Sequence, residues 1–239
     1  MERKTYFITG ANSEIGAAIC RVALASGHSV LATFHSKRDR LFDLRSEFSN
    51  LTMIEADFRD QSCIEKLIVN KRDILCGVDA FISCAAVRNE VPYGKISSDD
   101  LLDHFKVNVL PHVLLVQFLG PFMEQRSWGR IVICSSIGVK FGGGDGSFCY
   151  SLSKFSGEFI PRAATKWSAS NVLYNIVRVG ATQSDSLKKI GQRRLAERAN
   201  LIPIKRLALP HEIAKSVYWL ASTDNTYITG QTISVSGGE

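Results

Sequence analysis

Short apolar runs alternate with amphipathic segments along this chain. Seven runs have the length and composition of buried strands: Thr5–Thr9, Ser29–Phe34, Leu51–Glu55, Ala80–Cys84, Arg130–Ser135, Leu173–Val179 and Thr232–Val235. After the first run, apolar residues recur at helical spacing, for example at Ile15, Ile19 and Val22. Strands that alternate with helices predict a doubly wound parallel sheet with helices on both faces, a three-layer α/β/α fold. With 239 residues, the chain suits one such domain over 1–239.

Candidate functional residues follow the carboxyl ends of the predicted strands. Ligands of doubly wound sheets bind in the crevice outside those ends. The residues that we expect to line this crevice are Thr9, Gly10, Cys84, Ala85, Ser136, Val179 and Gly180.

The segment from Thr9 to Gly16, which we call the glycine turn, connects the first strand to the first helix. It reads Thr-Gly-Ala-Asn-Ser-Glu-Ile-Gly. A glycine-rich turn lets a phosphate approach the backbone, and the following helix presents N–H groups and the positive end of its dipole. The turn therefore predicts a phosphate-bearing cofactor. The candidate contacts are Gly10, Asn12, Ser13, Ile15 and Gly16.

A tyrosine and a lysine stand four residues apart in the segment Tyr-Ser-Leu-Ser-Lys, at Tyr150 and Lys154. Positions i and i+4 share one face of a helix, so the ammonium is held near the phenol. A neighbouring cation favours the ionised form of a phenol, and such a phenol can pass a proton to a carbonyl oxygen. Such a pair can occur on any helix by chance, and it indicates a catalytic role here because the glycine turn precedes it in the chain.

Together these motifs resemble the short-chain dehydrogenase/reductase family, whose fold is Rossmann-like. Its signature reads Thr-Gly-x-x-x-Gly-x-Gly, followed much later by Tyr-x-x-x-Lys. Thr9, Gly10 and Gly16 match, whereas Glu14 replaces the middle glycine. We expect the Glu14 side chain to point to solvent or to cap the helix, because an inward carboxylate would weaken cofactor binding.

Further landmarks extend the resemblance over nearly the whole chain. It implies that Asp57, with Phe58 beside it, contacts the adenine ring. Only Ala85 matches the family's Asn-Asn-Ala-Gly motif, in the segment Ser-Cys-Ala-Ala. Val179-Gly180 stands where the family has Pro-Gly, and the last twelve residues before Glu239 closely match its final strand.

The resemblance also implies a mechanism in which a nicotinamide cofactor supplies a hydride to a carbonyl carbon. Tyr150 would donate the proton to the carbonyl oxygen, and Lys154 would hold the ribose hydroxyls. Ser136 would hydrogen-bond the carbonyl, and Asn108 would place a water for proton relay.

The segment after the second strand selects between the two nicotinamide cofactors. An acidic residue there favours NAD, whereas basic or hydroxyl side chains accept the extra phosphate of NADP. His35, Ser36 and Lys37 occupy this position, with no acid before Asp39. We therefore expect NADP(H) to be favoured over NAD(H).

The substrate is less defined. In the family, the loop after Gly180, here 181–203, forms a lid over the substrate, and Thr182 contacts the cofactor. The lid contains a basic segment predicted to be helical over Leu187–Ala199. A 3-oxoacyl thioester on an acyl carrier protein and a secondary-metabolite ketone remain equally open. Family members form dimers or tetramers through the helices near Leu101–Met123 and Tyr150–Ala169.

Composition excludes several other classes of protein. Charged residues make up 22% of the chain and the net charge is +6, spread without a recognisable nucleic-acid-binding module. The most apolar stretch, Val107–Met123, contains two prolines, a histidine and a glutamine, and we expect a buried helix rather than a membrane span. The six cysteines form no metal-ligand spacing and fit packing residues of a reducing compartment, which favours the cytoplasm. Cys149, next to Tyr150, is the candidate for a reactive thiol.

Three functions remain open. The first is an NADP-dependent ketoreductase or alcohol dehydrogenase. The second is a nucleotide-binding regulator that has lost turnover, which the departures at Glu14, Val179 and the 83–86 segment would suit. The third is a structural subunit of an assembly. The complete set of Ser136, Tyr150, Lys154 and Asn108 favours the first.

Overall fold

The computed structural model describes residues 2–60, 62–188 and 191–239. Its strands are β1 (Thr5–Thr9), β2 (Ser29–Phe34), β3 (Leu51–Glu55), β4 (Ala80–Ser83), β5 (Gly129–Ser136), β6 (Val172–Val179) and β7 (Thr232–Val235). Its helices are α1 (Glu14–Ala25), α2 (Asp39–Glu47), α3 (Ser62–Asn70), α4 (Arg72–Leu75), α5 (Ser98–Asn108), α6 (Leu110–Gln125), α7 (Phe148–Ser156), α8 (Arg162–Lys166), α9 (Asp185–Lys188), α10 (Gln192–Leu201) and α11 (Pro210–Leu220). Every predicted strand is present, with bounds that differ by one residue at most.

The strands form one parallel sheet in the order β3-β2-β1-β4-β5-β6-β7. The chain crosses from β1 to β2 on one side and returns to β4 on the other, so the strand order reverses at β1. Ligands of doubly wound sheets bind at such a switch point. The predicted fold class, a Rossmann-like doubly wound sheet, is confirmed.

Alternate residues of each central strand enter two separate cores. Ile8 and Val132 belong to a cluster packed under α1 and α11, whereas Phe7 and Ile131 belong to a cluster packed under α3 and α6. Because successive strand residues point to opposite faces, a strand buried on both sides has to be apolar throughout. This requirement explains the unbroken apolar runs in the sequence.

The apolar stretch 107–123 forms the end of α5 and most of α6. The two helices are separated at Val109, whose backbone is not helical, with φ −121° and ψ −58°. By length and composition, the described residues contain one candidate membrane span, Ser98–Gln125. Leu115, Leu119 and Met123 of this stretch are nevertheless buried in the cluster that packs under α3 and α6. Only one face of this stretch is buried, because Leu110, Val113 and Leu114 are exposed.

The predicted lid contains two short helices, α9 and α10, in place of one helix over Leu187–Ala199. Lys189 and Ile190 lie outside the described residues. Arg198 of α10 pairs with the nearly buried carboxylate of Glu239 at 2.5 Å, which ties α10 to the end of the chain.

Candidate active site

Gly10 and Gly16 of the glycine turn have no room for a side chain. A Cβ on Gly10, whose φ is +63°, would lie 2.6 Å from the Cα of Ala85, and one on Gly16 would lie 2.4 Å from the Gly10 carbonyl oxygen. The bare backbone therefore brings β1, α1 and Ala85 into contact. The turn needs these two glycines, while the position of Glu14 has no such constraint.

Ser13 caps helix α1. Its Oγ accepts a hydrogen bond from the Gly16 N–H at 3.0 Å and donates one to the Gly10 carbonyl at 2.8 Å. A side-chain cap satisfies one of the N–H groups that a helix start leaves without a partner. Ile15 lies in the first turn of α1 and packs partly against the core.

The Glu14 side chain does not take either orientation expected from the sequence. It neither points freely to solvent nor caps α1, because its Oε1 accepts hydrogen bonds from Arg40 at 3.2 Å and from the Asp185 N–H at 2.8 Å. Arg40 also contacts an Asp185 carboxylate oxygen at 2.6 Å. Glu14 thus joins the glycine turn to α2 and to the lid. Sequence analysis missed Arg40 because it is far from Glu14 along the chain.

Asn12 connects the glycine turn to the start of α2. Its Nδ2 donates to Asp39 at 3.1 Å, and its Oδ1 accepts from the Leu41 N–H at 3.2 Å. The hydrogen bond from Asn12 lowers the pKa of the Asp39 carboxyl. The first acidic residue after β2 is therefore turned toward Asn12.

The residues expected to select the cofactor follow β2, and those expected to contact its adenine ring follow β3. His35, Ser36 and Lys37 are exposed, and His35 Nε2 is 3.2 Å from a carboxylate oxygen of Asp57. The Phe58 side chain is buried in the cluster that packs under α3 and α6, so only its backbone is left for contact with a ligand.

Tyr150 and Lys154 share one face of α7, as their spacing predicts. The Lys154 side chain is buried, its Nζ donates to the Cys134 carbonyl at 2.7 Å, and Nζ lies 6.0 Å from the centre of the Tyr150 ring. Arg88, which sequence analysis missed, places a second cation 5.9 Å from the same ring centre. The phenol therefore has two cations near it.

The side chain of Asn108 holds the loop that follows β4. Its Oδ1 accepts from the Val87 N–H at 2.7 Å, while its Nδ2 donates to the Val87 carbonyl at 3.0 Å and to Ser153 Oγ at 2.8 Å. Both ends of the amide are thus engaged, so a relay through Asn108 would use its backbone. His112, one turn further on, is also buried.

Ser136 ends β5, and its Oγ accepts from the Gly138 N–H at 3.2 Å. The preceding serine points elsewhere, because Ser135 Oγ donates to Glu158 at 2.6 Å. Glu158 is nearly buried and forms an ion pair with Arg178 of β6 at 2.5 Å. These bonds fix the end of β5 against α7 and β6.

Gly180 and Thr182 lie where the lid leaves the sheet. A Cβ on Gly180 would lie 2.6 Å from the Ser236 Cα, and the buried Thr182 hydroxyl donates to the Gly180 carbonyl at 2.9 Å. Thr182 also pairs with Ala208 in an isolated β-bridge. The end of β6 is therefore held closely against the chain that follows β7.

The cysteine adjoining the phenol differs from the sequence-based expectation. Burial raises the pKa of the Cys149 thiol, so Cys149 has the character of a packing residue. Cys84, which is partly exposed at the end of β4, has its pKa lowered by a hydrogen bond with the Cys134 thiol and by the Lys154 charge. In 2–60, 62–188 and 191–239, no three His, Cys, Asp or Glu side chains form a group that could hold a metal ion.

The geometry fits a nicotinamide dinucleotide. The crevice at the switch point has a bare glycine turn, a capped helix start, a buried lysine beside a tyrosine and exposed basic residues after β2. A Cβ at Gly10 or Gly16 would collide with neighbouring protein atoms, so these glycines permit the tight turn and the close helix–strand packing of a dinucleotide-binding crevice.

Comparisons with known proteins agree with this geometry. The family model described as "Enoyl-(Acyl carrier protein) reductase" matches residues 10–239. An acetoacetyl-CoA reductase of Rhizobium meliloti is 30% identical over 236 residues, which cover 97% of this chain and 96% of that protein. A 3-oxoacyl-[acyl-carrier-protein] reductase of Aquifex aeolicus is 28% identical over 244 residues, covering 100% and 98%.

A solved 3-oxoacyl (acyl-carrier-protein) reductase from Agrobacterium tumefaciens, with NADP bound, has the same fold. Its TM-score is 0.89 at 23% sequence identity, and the match covers 99% of this chain and 94% of that one. Because the family model spans nearly the whole sequence and the crevice carries the family's motifs, the chain belongs to the short-chain dehydrogenase/reductase family of oxidoreductases.

Proposed function

We propose that the protein is an NADPH-dependent reductase that converts a ketone to an alcohol. The observation that carries this proposal is the position of Lys154, whose buried ammonium is held by the Cys134 carbonyl 6.0 Å from the centre of the Tyr150 ring. The pair places a phenol that can donate a proton and a fixed ammonium side by side at the switch point of the sheet, where a carbonyl would meet the nicotinamide. The names of the relatives, which include an acetoacetyl-CoA reductase, support a ketone substrate.

The roles of the residues follow from their positions. Tyr150 donates a proton to the carbonyl oxygen, and Ser136 donates a hydrogen bond to the same oxygen and orients it. Lys154 holds the ribose hydroxyls of the cofactor. Asn108 fixes the loop at Val87 and places a water through its backbone. The bound cofactor would supply the hydride.

The remaining contacts hold the cofactor. The glycine turn binds the pyrophosphate through Gly10, Asn12, Ser13, Ile15 and Gly16. Asp57 and the Phe58 backbone contact the adenine, Ala85 lies beside the adjoining ribose, and Gly180 and Thr182 contact the nicotinamide side.

The preference for NADP(H) over NAD(H) has two supports. His35, Ser36 and Lys37 present exposed polar and basic side chains after β2, which suit a phosphate. Asp39, the nearest acid in that segment, is held by the Asn12 amide. An acid so engaged is not positioned to receive ribose hydroxyls, as NAD recognition requires.

The surroundings of the site suggest its partners. The lid helix α10 exposes a basic surface at Arg193 and Arg194, which would suit an acidic substrate. Apolar side chains on α5, α6 and α7 and just after α7 are exposed and would be covered in a homodimer or homotetramer: Leu102, Leu110, Val113, Leu114, Phe155 and Phe159.

None of the six cysteines forms a disulfide. Free thiols suit a reducing compartment such as the cytoplasm.

The test follows oxidation of NADPH and of NADH by the purified protein against a panel of ketones. The panel contains 3-oxoacyl thioesters, unactivated ketones and, because of the name of the family model, 2-enoyl thioesters. We expect turnover of a ketone with NADPH and its loss in Tyr150→Phe, with NADPH binding retained. Tyr227→Phe, which removes the hydroxyl of an exposed tyrosine, is the matched control. Undiminished turnover in Tyr150→Phe would contradict the proposed mechanism, and turnover of enoyl thioesters alone would contradict the substrate class.

A further inference from the structure

Arg88 lies beside the proposed proton donor in a loop that is held on both sides of it. On one side, Val87 exchanges two hydrogen bonds with the Asn108 side chain. On the other, the Asn89 N–H donates to His104 Nε2 at 3.2 Å, and the Val91 N–H donates to the Gly146 carbonyl at 2.8 Å. The backbone that carries Arg88 is therefore anchored to α5 and to the loop before α7.

This anchored loop brings the Arg88 guanidinium to the active-site phenol. The guanidinium carbon is 5.9 Å from the centre of the Tyr150 ring, about as far as Lys154 Nζ at 6.0 Å. The two cations differ in what they can bind. Lys154 is buried and donates to the Cys134 carbonyl, whereas the Arg88 side chain is 47% exposed.

The contact that Arg88 makes with Glu90 can be exchanged for another one. A single hydrogen bond of 3.2 Å joins them, and both side chains are about half exposed or more. Exposed ion pairs contribute little free energy, so an anion that binds the planar fork of the guanidinium with two oxygens could replace Glu90. A carboxylate has that shape.

We propose that Arg88 binds a carboxylate of the substrate and selects ketones that carry an acid group close to the reacting carbonyl. The inference rests on the proposed function, because it places the carbonyl oxygen at the Tyr150 hydroxyl. A guanidinium next to that ring reaches an acid group only a few bonds away from the carbonyl. It does not reach the distant phosphates of a carrier-bound thioester. The substrate class is thus a short oxo acid.

The experiment compares each acid with its neutral ester, using acetoacetate and levulinate and their methyl esters. We measure kcat/KM and expect the wild-type protein to prefer the acids. In Arg88→Met the acid-to-ester ratio of kcat/KM should fall about 10- to 100-fold, the range expected for lost hydrogen bonds to a charged group. Arg88→Lys should keep part of the preference. Lys95→Met, which removes an exposed cation from the same loop region, should leave the ratio unchanged.

A binding measurement separates this inference from the proposed function. Isothermal titration calorimetry gives the Kd of 3-hydroxybutanoate for the NADPH-loaded protein, a combination that cannot react. We expect Arg88→Met to raise this Kd about tenfold or more, and Lys95→Met to leave it unchanged.

Each outcome decides between the two ideas. Turnover of the esters without a preference for acids, or equal losses on acid and ester in Arg88→Met, overturns the role of Arg88 and leaves the reductase intact. Binding of the hydroxy acid that depends on Arg88, without turnover of any ketone, supports the carboxylate site and overturns the reductase. Neither binding nor turnover overturns both.

Discussion

The Glu14 carboxylate and the Arg40 guanidinium form an ion pair of 3.2 Å across the glycine turn. The pair places a positive charge against the one acidic residue that the chain introduces into this turn. Unneutralised, that acid would repel the phosphates of a cofactor bound at the start of α1.

Removal of Arg40 should therefore weaken cofactor binding through Glu14. We expect Arg40→Met to raise the Kd for NADPH about fivefold, since partly exposed charges contribute on the order of 1 kcal/mol. The double variant with Glu14→Gln should recover part of the loss, because the Glu14 charge is then absent, while the Asp185 carboxylate has still lost its contact with Arg40. Fluorescence titration with NADPH at low salt measures all of these values.

Two other results would contradict this account. A double variant as weak as Arg40→Met would mean that Arg40 contacts the cofactor directly. Equal binding by all variants would mean that the ion pair does not act on the phosphate site.

Lys37 should determine the preference for NADPH. Replacement by aspartate, as in Lys37→Asp, introduces a charge that repels the extra phosphate and offers a carboxylate to the ribose hydroxyls of NADH. We expect the ratio of the NADH to NADPH dissociation constants to fall at least tenfold. Lys215→Asp makes the same change of charge on an exposed face of α11 and should leave the ratio as it is. An unchanged ratio in Lys37→Asp would remove Lys37 from the phosphate site.

Cys84 should be alkylated before Cys149, the cysteine that adjoins Tyr150. The hydrogen bond with Cys134 and the nearby Lys154 charge lower the pKa of the Cys84 thiol, while burial raises the pKa values of Cys20 and Cys149. The thiolate is the reactive form, so iodoacetamide at neutral pH should modify Cys84 faster than Cys20 and Cys149, as read by peptide mass spectrometry.

The same reaction also tests where the cofactor lies. Cys84 stands beside Ala85 at the end of β4, so bound NADPH should slow its alkylation. Cys84→Ser is the control for the assignment of the peptide. Faster labelling of Cys149, or no protection by NADPH, would contradict the geometry of this edge of the crevice.

The sequence predicted the strands to within a residue because strands covered on both faces must be apolar throughout, while polar residues and glycines mark their ends. It also predicted the pairing of Tyr150 with Lys154, which depends only on helical periodicity. The orientation of Glu14 could not be predicted, because its partners lie 26 and 171 residues away. The sequence suggested Cys149 as the reactive thiol, whereas the structure favours Cys84. The reason is again a contact between distant residues, because pairing of β4 with β5 brings the Cys134 thiol next to Cys84.

His112 should make the protein less stable in acid. Burial, and to a lesser extent the Lys154 charge, lowers its pKa to about 4 from an ordinary value of 6.5. Below pH 6.5 the unfolded chain therefore takes up a proton that the folded protein refuses until about pH 4. The stabilisation is fully present above pH 6.5 and declines as the pH falls toward 4, by about 3 kcal/mol in total.

Urea unfolding at fixed protein concentration between pH 8 and pH 4 measures this decline. His112→Val places an apolar side chain in the same space, where nothing can take up a proton. The variant should flatten the dependence of the free energy of unfolding on pH. Part of the slope will remain, because burial also lowers the pKa of His28. A His112→Val variant with the full wild-type slope would show that His112 is not the group that resists protonation in the folded protein.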